Sequence, residues 1–226
     1  MFFSYPMIFW VKEKDVAKPS ESIRSLVATS FYRIRKTFTQ VKKYKQLFWF
    51  LVARTFYNDG VVAIFSFGGI YATTVFGFSF EQLLYFGLAL NVSSALGAFV
   101  FSFIEDRIGS RMTISISILG LLLVSIIVIL IQSQSAFWAC SIVVSFWAGP
   151  NQSASRAFMS KLCPAGKENE FFGFSGKATA FLGPLLIGLL TAEFSSMRVG
   201  MSVIPILLLL GLVLLLWKTE PFRARR

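Results

Sequence analysis

The sequence predicts an all-α membrane protein, a bundle of six transmembrane helices, on three observations. Apolar residues fill 55% of the 226 positions and the mean hydropathy is +0.68. Too little polar sequence is left to coat a water-soluble fold, so lipid must supply that coat. The apolar residues gather into six runs, each near the roughly 20 residues that a helix needs to cross a hydrocarbon core of about 30 Å. Basic residues crowd alternate connections between those runs, the pattern left by insertion with the positive side toward the cytoplasm.

Residues 1–10 are apolar but too short to span, and no small-residue cleavage site follows them. They read as the end of a preceding transmembrane helix rather than as a signal peptide. Residues 11–46 form a basic cytoplasmic linker, with ten of the 22 Lys and Arg lying between Lys12 and Lys45. Within it Ile23, Leu26, Val27, Phe31, Ile34, Phe38 and Val41 recur at helical spacing, while Arg24, Arg33, Arg35, Lys36 and Lys42 lie largely off that stripe. This describes an amphipathic helix lying over anionic headgroups, or a basic loop with incidental apolar residues. The transmembrane domain, 47–217, places its spans near 47–71, 83–104, 112–132, 136–155, 171–192 and 199–217. The connection with Arg107 and Arg111, the one with Arg156, Lys161 and Lys167, and the basic tail 218–226 belong on the cytoplasmic side. The intervening connections, near 72–82, 132–136 and 193–198, hold only Arg198 among them. The chain is thus expected to be a multi-pass protein of the cell membrane with both termini cytoplasmic.

A formal net charge of +11 would suggest nucleic acid as the partner of a soluble protein. Here residues 61–104 hold no Lys or Arg at all, a distribution that topology explains, so the expected partner is the lipid bilayer and no nucleic acid. The absence of histidine excludes His-based triads, His-ligated zinc and His proton relays. Cys140 and Cys163 offer neither a disulfide framework nor a metal-ligand spacing. With no paired acid and base, no metal site and no cofactor motif, an enzyme is not expected.

Charged groups at membrane depth cost at least about 2.5–3.5 kcal/mol on insertion scales, which singles out Arg54, Asp59 and Lys177. Asp59 lies roughly 18 Å into the first span, near the midplane, whereas Arg54 and Lys177 lie about 9–11 Å from the cytoplasmic ends of theirs and can snorkel. Asp59 reads as a proton-coupling carboxylate, as a partner for Lys177 or as a protonated structural group. Arg54, about 140° away around the helix, is a poor partner for it, while Asn58 shares the face of Arg54. The run Gly149-Pro150-Asn151-Gln152-Ser153-Ala154-Ser155-Arg156 reads as an ordinary polar helix end kinked at Pro150 or as a wall of a wet cavity, with Asn151 and Gln152 deep enough to touch a solute. Gly173, Gly176 and Gly183-Pro184 would let the fifth span approach a neighbour closely.

The connection Asp106-Arg107-Ile108-Gly109-Ser110-Arg111 resembles the Asp-Arg-x-Gly-x-Arg gating loop of major facilitator transporters, which makes Asp106, Arg107, Gly109 and Arg111 its candidates. The segments Tyr57-Asn58-Asp59-Gly60, the run 149–156, Gly166-Lys167-Glu168 leading to Glu170-Phe171-Phe172-Gly173-Phe174, and Ser175-Gly176-Lys177 leading to Phe181-Leu182-Gly183-Pro184 resemble, in that order, the vacuole-effluxer-like family of that superfamily. The resemblance implies a twelve-helix fold of two six-helix halves, of which these six spans are equivalent to the C-terminal one. It implies a cavity lined partly by the first, second, fourth and fifth spans, with Asp59, Asn58, Gln152 and Lys177 facing or approaching it. It implies secondary transport of a small-molecule solute, amino acids among the options, by rocking of two halves around a midplane site. A second six-helix half is then required. The alternatives are an inactive truncated remnant or a non-transporting membrane interaction protein.

Overall fold

The computed structural model describes residues 45–163 and 181–219, and every regular element among them is helical. In chain order these are α1 (Lys45–Phe76), α2 (Phe80–Ile108), α3 (Ser110–Leu130), α4 (Gln134–Leu162), α5 (Leu182–Phe194), α6 (Met197–Met201) and α7 (Val203–Lys218). They all belong to the unit Gln40–Arg226. Ser202 passes α6 into α7 with a helical backbone, so the two read as one apolar run, Met197–Lys218. In hydrocarbon every backbone N–H and C=O must be satisfied by the protein itself, and a helix does so within its own segment, which is why apolar runs of this length become helices.

Among the described residues α1, α2, α3 and the α6–α7 run are long and apolar enough to cross a bilayer. Helix α4 has the length, 29 residues, but its polar stretch after Gly149 makes it less apolar than those four. Of the expected fifth span, 171–192, only the part from residue 181 onward is described. Residues 1–10, the linker through residue 44, Lys167, Lys177, Gly173, Gly176 and the tail from residue 220 lie outside the described residues.

Apart from α3, which stops at Leu130 short of the expected 132, the helices run past the boundaries that hydropathy sets for them, because a helix ends at a cap or a breaker and not where lipid ends. α1 begins at Lys45, inside the expected linker, and continues to Phe76, where Gly77 turns the chain at φ +67. Ser79 then caps α2 in a reciprocal box, its hydroxyl accepting from the Gln82 N–H while the Gln82 side chain accepts from the Ser79 N–H. As a result Glu105, Asp106 and Arg107 belong to α2, Arg111 to α3, and Arg156 and Lys161 to α4, where connections were expected.

The burial pattern is that of a bundle dissolved in lipid. Leu88, Val92, Leu96, Phe99 and Phe103 stand exposed along α2, while Ser93, Ser117, Ser145 and Asn151 are buried. Between helices in lipid, close packing of small residues and interhelical hydrogen bonds replace the hydrophobic drive. The α2–α4 seam shows both. A Cβ on Gly97 would overlap the Phe146 carbonyl oxygen, and one on Gly149 would overlap that of Ser94. Ser93 Oγ donates to the Ile142 carbonyl at 2.7 Å, and Ser145 Oγ donates to that of Leu90 at 2.6 Å. Pro150 lies inside α4 and has no N–H for the carbonyl four residues back, that of Phe146. This is the carbonyl that Gly97 covers.

Candidate functional site

Helix α1 carries the polar centre of the bundle. Arg54, Asn58 and Asp59 are all buried there, Asp59 completely, and Asp59 falls near the middle of the helix. One carboxylate oxygen of Asp59, Oδ2, accepts from the backbone N–H of Leu182 at 3.1 Å and of Gly183 at 3.3 Å, the first two residues of α5. The other, Oδ1, is buried without a partner. Phe181 precedes α5 and has no side-chain acceptor, so the first orphan donors of that helix are met by a carboxylate from another helix. The positive end of the α5 dipole makes the same position favourable for an anion. Gly183 permits the approach, since a Cβ there would lie 2.8 Å from the Asp59 carbonyl oxygen and 3.2 Å from Ala63 Cβ.

Arg54 turns into the bundle rather than out to the interface. It is 5% exposed, its Nη1 donates to Met159 Sδ on α4 at 3.0 Å, and its Nε has no partner. One turn along α1 the Tyr57 hydroxyl pairs with Ser155 Oγ at 2.8 Å, which ties the same faces of α1 and α4 together. Sequence reasoning passed over Tyr57, Ser155 and Met159 as site residues. The spacing Arg54 to Tyr57 and Ser155 to Met159, three and four residues, is the signal that puts each pair on one helix face. Asn151 points into the bundle, where its Nδ2 donates to Ser117 Oγ on α3 at 3.3 Å, while the next residue, Gln152, is only half-buried. The structure therefore joins Asp59 to α5 and Arg54 to α4, and pairs Asn151 with α3.

At the basic end of the bundle, the Asp106-to-Arg111 connection contracts to a single residue. Gly109 alone stands between α2 and α3, at φ +83, where a side chain would be strained. Asp106 and Arg107 are exposed on the last turn of α2. Arg111 reaches the C-terminus of α7, donating from Nη2 to the Leu216 carbonyl at 3.0 Å and from Nε to Thr219 Oγ1 at 3.2 Å. Lys161 donates to Ser110 Oγ at 2.9 Å, so α3, α4 and α7 are fastened at one end. At the other end Arg198 donates to the Ile129 carbonyl at 3.3 Å and lies over the Phe76 ring.

A cavity of about 80 Å³ opens toward that other end, among Phe65, Phe86, Ser141, Val144 and Ile204, with Tyr71, whose hydroxyl is buried and unpaired, in its wall. Its lining is mainly apolar, and none of Arg54, Asn58, Asp59, Asn151 and Gln152 takes part.

Residues 1–225 match the profile of a family described as vacuole effluxer Atg22 like. Among curated proteins the chain is 28% identical to an uncharacterized MFS-type transporter, YxiO, of Bacillus subtilis (strain 168), over 96% of this chain and 51% of that protein. It is 22% identical to autophagy-related protein 22 of Coccidioides immitis (strain RS), over 93% of this chain and 39% of that protein. The same identity holds against autophagy-related protein 22-1 of Aspergillus niger, over 95% of this chain and 39% of that protein. The chain thus spans about half the length of YxiO and less of the fungal proteins.

Proposed function

Since the chain belongs to the vacuole effluxer Atg22-like family, we propose that it is one six-helix half of a secondary transporter that moves a small solute across the bilayer by alternating access against a second half. The observation that carries this reading is the Asp59 carboxylate, held at mid-depth of α1 on the first N–H groups of α5 with one oxygen unpaired. Charged, it binds the start of α5 to α1. Protonated, it is a weaker acceptor and no longer complements the helix dipole, so α5 is released from α1. Such a joint between two helices, at the depth where these folds bind solute and coupling ion, lets a proton bias one arrangement of the half against the other.

Asn58, Gln152 and Lys177 are the solute contacts to test alongside this joint. The Gly109 turn and Arg111 form the cytoplasmic pivot, with Asp106 and Arg107 exposed beside it on the last turn of α2. The role is transport and not catalysis, the membrane is the cell membrane, and the basic end of the bundle faces the cytoplasm. The description of the family makes efflux the direction to test first, and amino acids are the first solutes to assay.

The chain is to be co-produced with a second six-helix half, purified in detergent and examined by native mass spectrometry for a one-to-one complex. The complex then goes into proteoliposomes. Accumulation driven by a pH gradient in the wild type, lost in Asp59→Asn while solute exchange at equal pH persists, is the expected result. If Asp59→Asn still accumulates solute against the gradient, Asp59 does not couple. A complex that moves no solute under either condition ends the transporter reading.

A further inference from the structure

Among the described residues Arg54 is the only buried Lys or Arg, at 5% exposure. A buried cation ordinarily carries a carboxylate with it, because an unpaired charge loses its hydration with nothing in return. Arg54 has a thioether instead: Nη1 meets Met159 Sδ at 3.0 Å, and Nε points at no acceptor. Asp59, the next acid along α1, is turned about 140° away around the helix and is engaged on α5. The charged neighbour that acts on Arg54 from α4 is another cation, Arg156, which is exposed. Close by, Tyr57 Oη and Ser155 Oγ share one hydrogen bond at 2.8 Å. Two hydroxyls own two hydrogens, and their mutual bond uses one of them, so a second donor is left over at the same α1–α4 seam.

The geometry points to an oxyanion site at this seam, in which Arg54 and the remaining Tyr57–Ser155 hydroxyl hydrogen hold a carboxylate or phosphate group of the transported solute. The guanidinium fork suits a two-oxygen acceptor, and the unbranched Met159 side chain can swing out of its way. This rests on the transporter reading for the arrival of a solute at α1, but its test requires no transport.

The full chain, purified alone in detergent, is titrated with butyrate, with inorganic phosphate and with butyramide, the neutral counterpart of butyrate. Thermal unfolding and titration calorimetry provide the readouts. Butyrate or phosphate is expected to raise the unfolding temperature in a concentration-dependent way, and butyramide is not. Arg54→Met should weaken anion binding about a hundredfold and Arg54→Lys, which keeps the charge but loses the fork, about tenfold. Without ligand, Arg54→Met should unfold at no lower temperature than the wild type, since it removes an unpaired charge and packs beside Met159. An equal response to butyramide, no response to either anion, or anion binding that survives Arg54→Met overturns the site. If anions bind only after Glu168→Gln or Glu170→Gln, the acceptor is an acid of this chain and the solute assignment falls. Transport can fail in proteoliposomes while this binding stands, and the reverse, so the two readings fail separately.

Discussion

The carboxylate of Asp59 stands where the N-cap side chain of α5 would stand, and that substitution sets what a mutation there does. Asp59→Ala leaves the Leu182 and Gly183 N–H groups without their acceptor, at a cost of about 1–3 kcal/mol. Asp59→Asn keeps a carbonyl oxygen in the same place and should lose less than half as much. Thermal unfolding of the two variants in detergent checks the order, and equal losses would mean that capping is not the role of this side chain. Gly183→Ala should cost a similar 1–3 kcal/mol, because its Cβ would lie 2.8 Å from the Asp59 carbonyl oxygen. Asp59 was legible in the sequence, since a charge at mid-span stands out in any hydropathy count. Its partner was not, because the atoms it meets are backbone N–H groups, which every residue type except proline carries. Arg54 shows the complementary limit. Its depth allows either snorkelling or burial, and only the packing of α4 beside it decides for burial.

The helices themselves are held by a few close seams. At the α2–α4 crossing the carbonyl that Pro150 leaves without a helical partner faces Gly97, with room for a hydrogen and nothing larger. Gly97→Val is therefore expected to cost more than about 3 kcal/mol or to abolish the fold, read as loss of a cooperative thermal transition. An unchanged transition would mean that the seam is not there. Arg111 works at an element boundary, as a cation on the last carbonyls of α7. Arg111→Met keeps a similar length without the donors and should cost about 1 kcal/mol, with faster amide exchange confined to the final turn of α7. The sequence left the Gly149–Arg156 run open between an ordinary polar helix end kinked at Pro150 and a wall of a wet cavity. In the fold α4 continues through Pro150 to Leu162, with the small residues around the proline facing α2 and Gly97 packed on the carbonyl that the proline frees.

For the whole molecule the orientation can be tested directly. In a Cys140→Ser, Cys163→Ser background, Ser79→Cys and Ser133→Cys should react with a membrane-impermeant maleimide from the external side only. Arg107→Cys and Lys161→Cys should react from the cytoplasmic side only. Labelling of all four from one side would refute an antiparallel bundle, and exchange of the two sides would refute the cytoplasmic placement of the basic end. That the chain is helical, lies in lipid and alternates its basic connections was already decided by composition and order. Hydrophobicity and the positive-inside bias act as sums along a segment, and a sum can be read without knowing any neighbour. Which oxygen caps α5, which carbonyl Gly97 covers, and that Arg54 is buried beside a thioether rather than an acid are contacts between helices far apart in the chain. Those depend on rotation about each helix axis and on depth to within about one residue, quantities that a hydropathy pattern leaves open and that packing alone supplies.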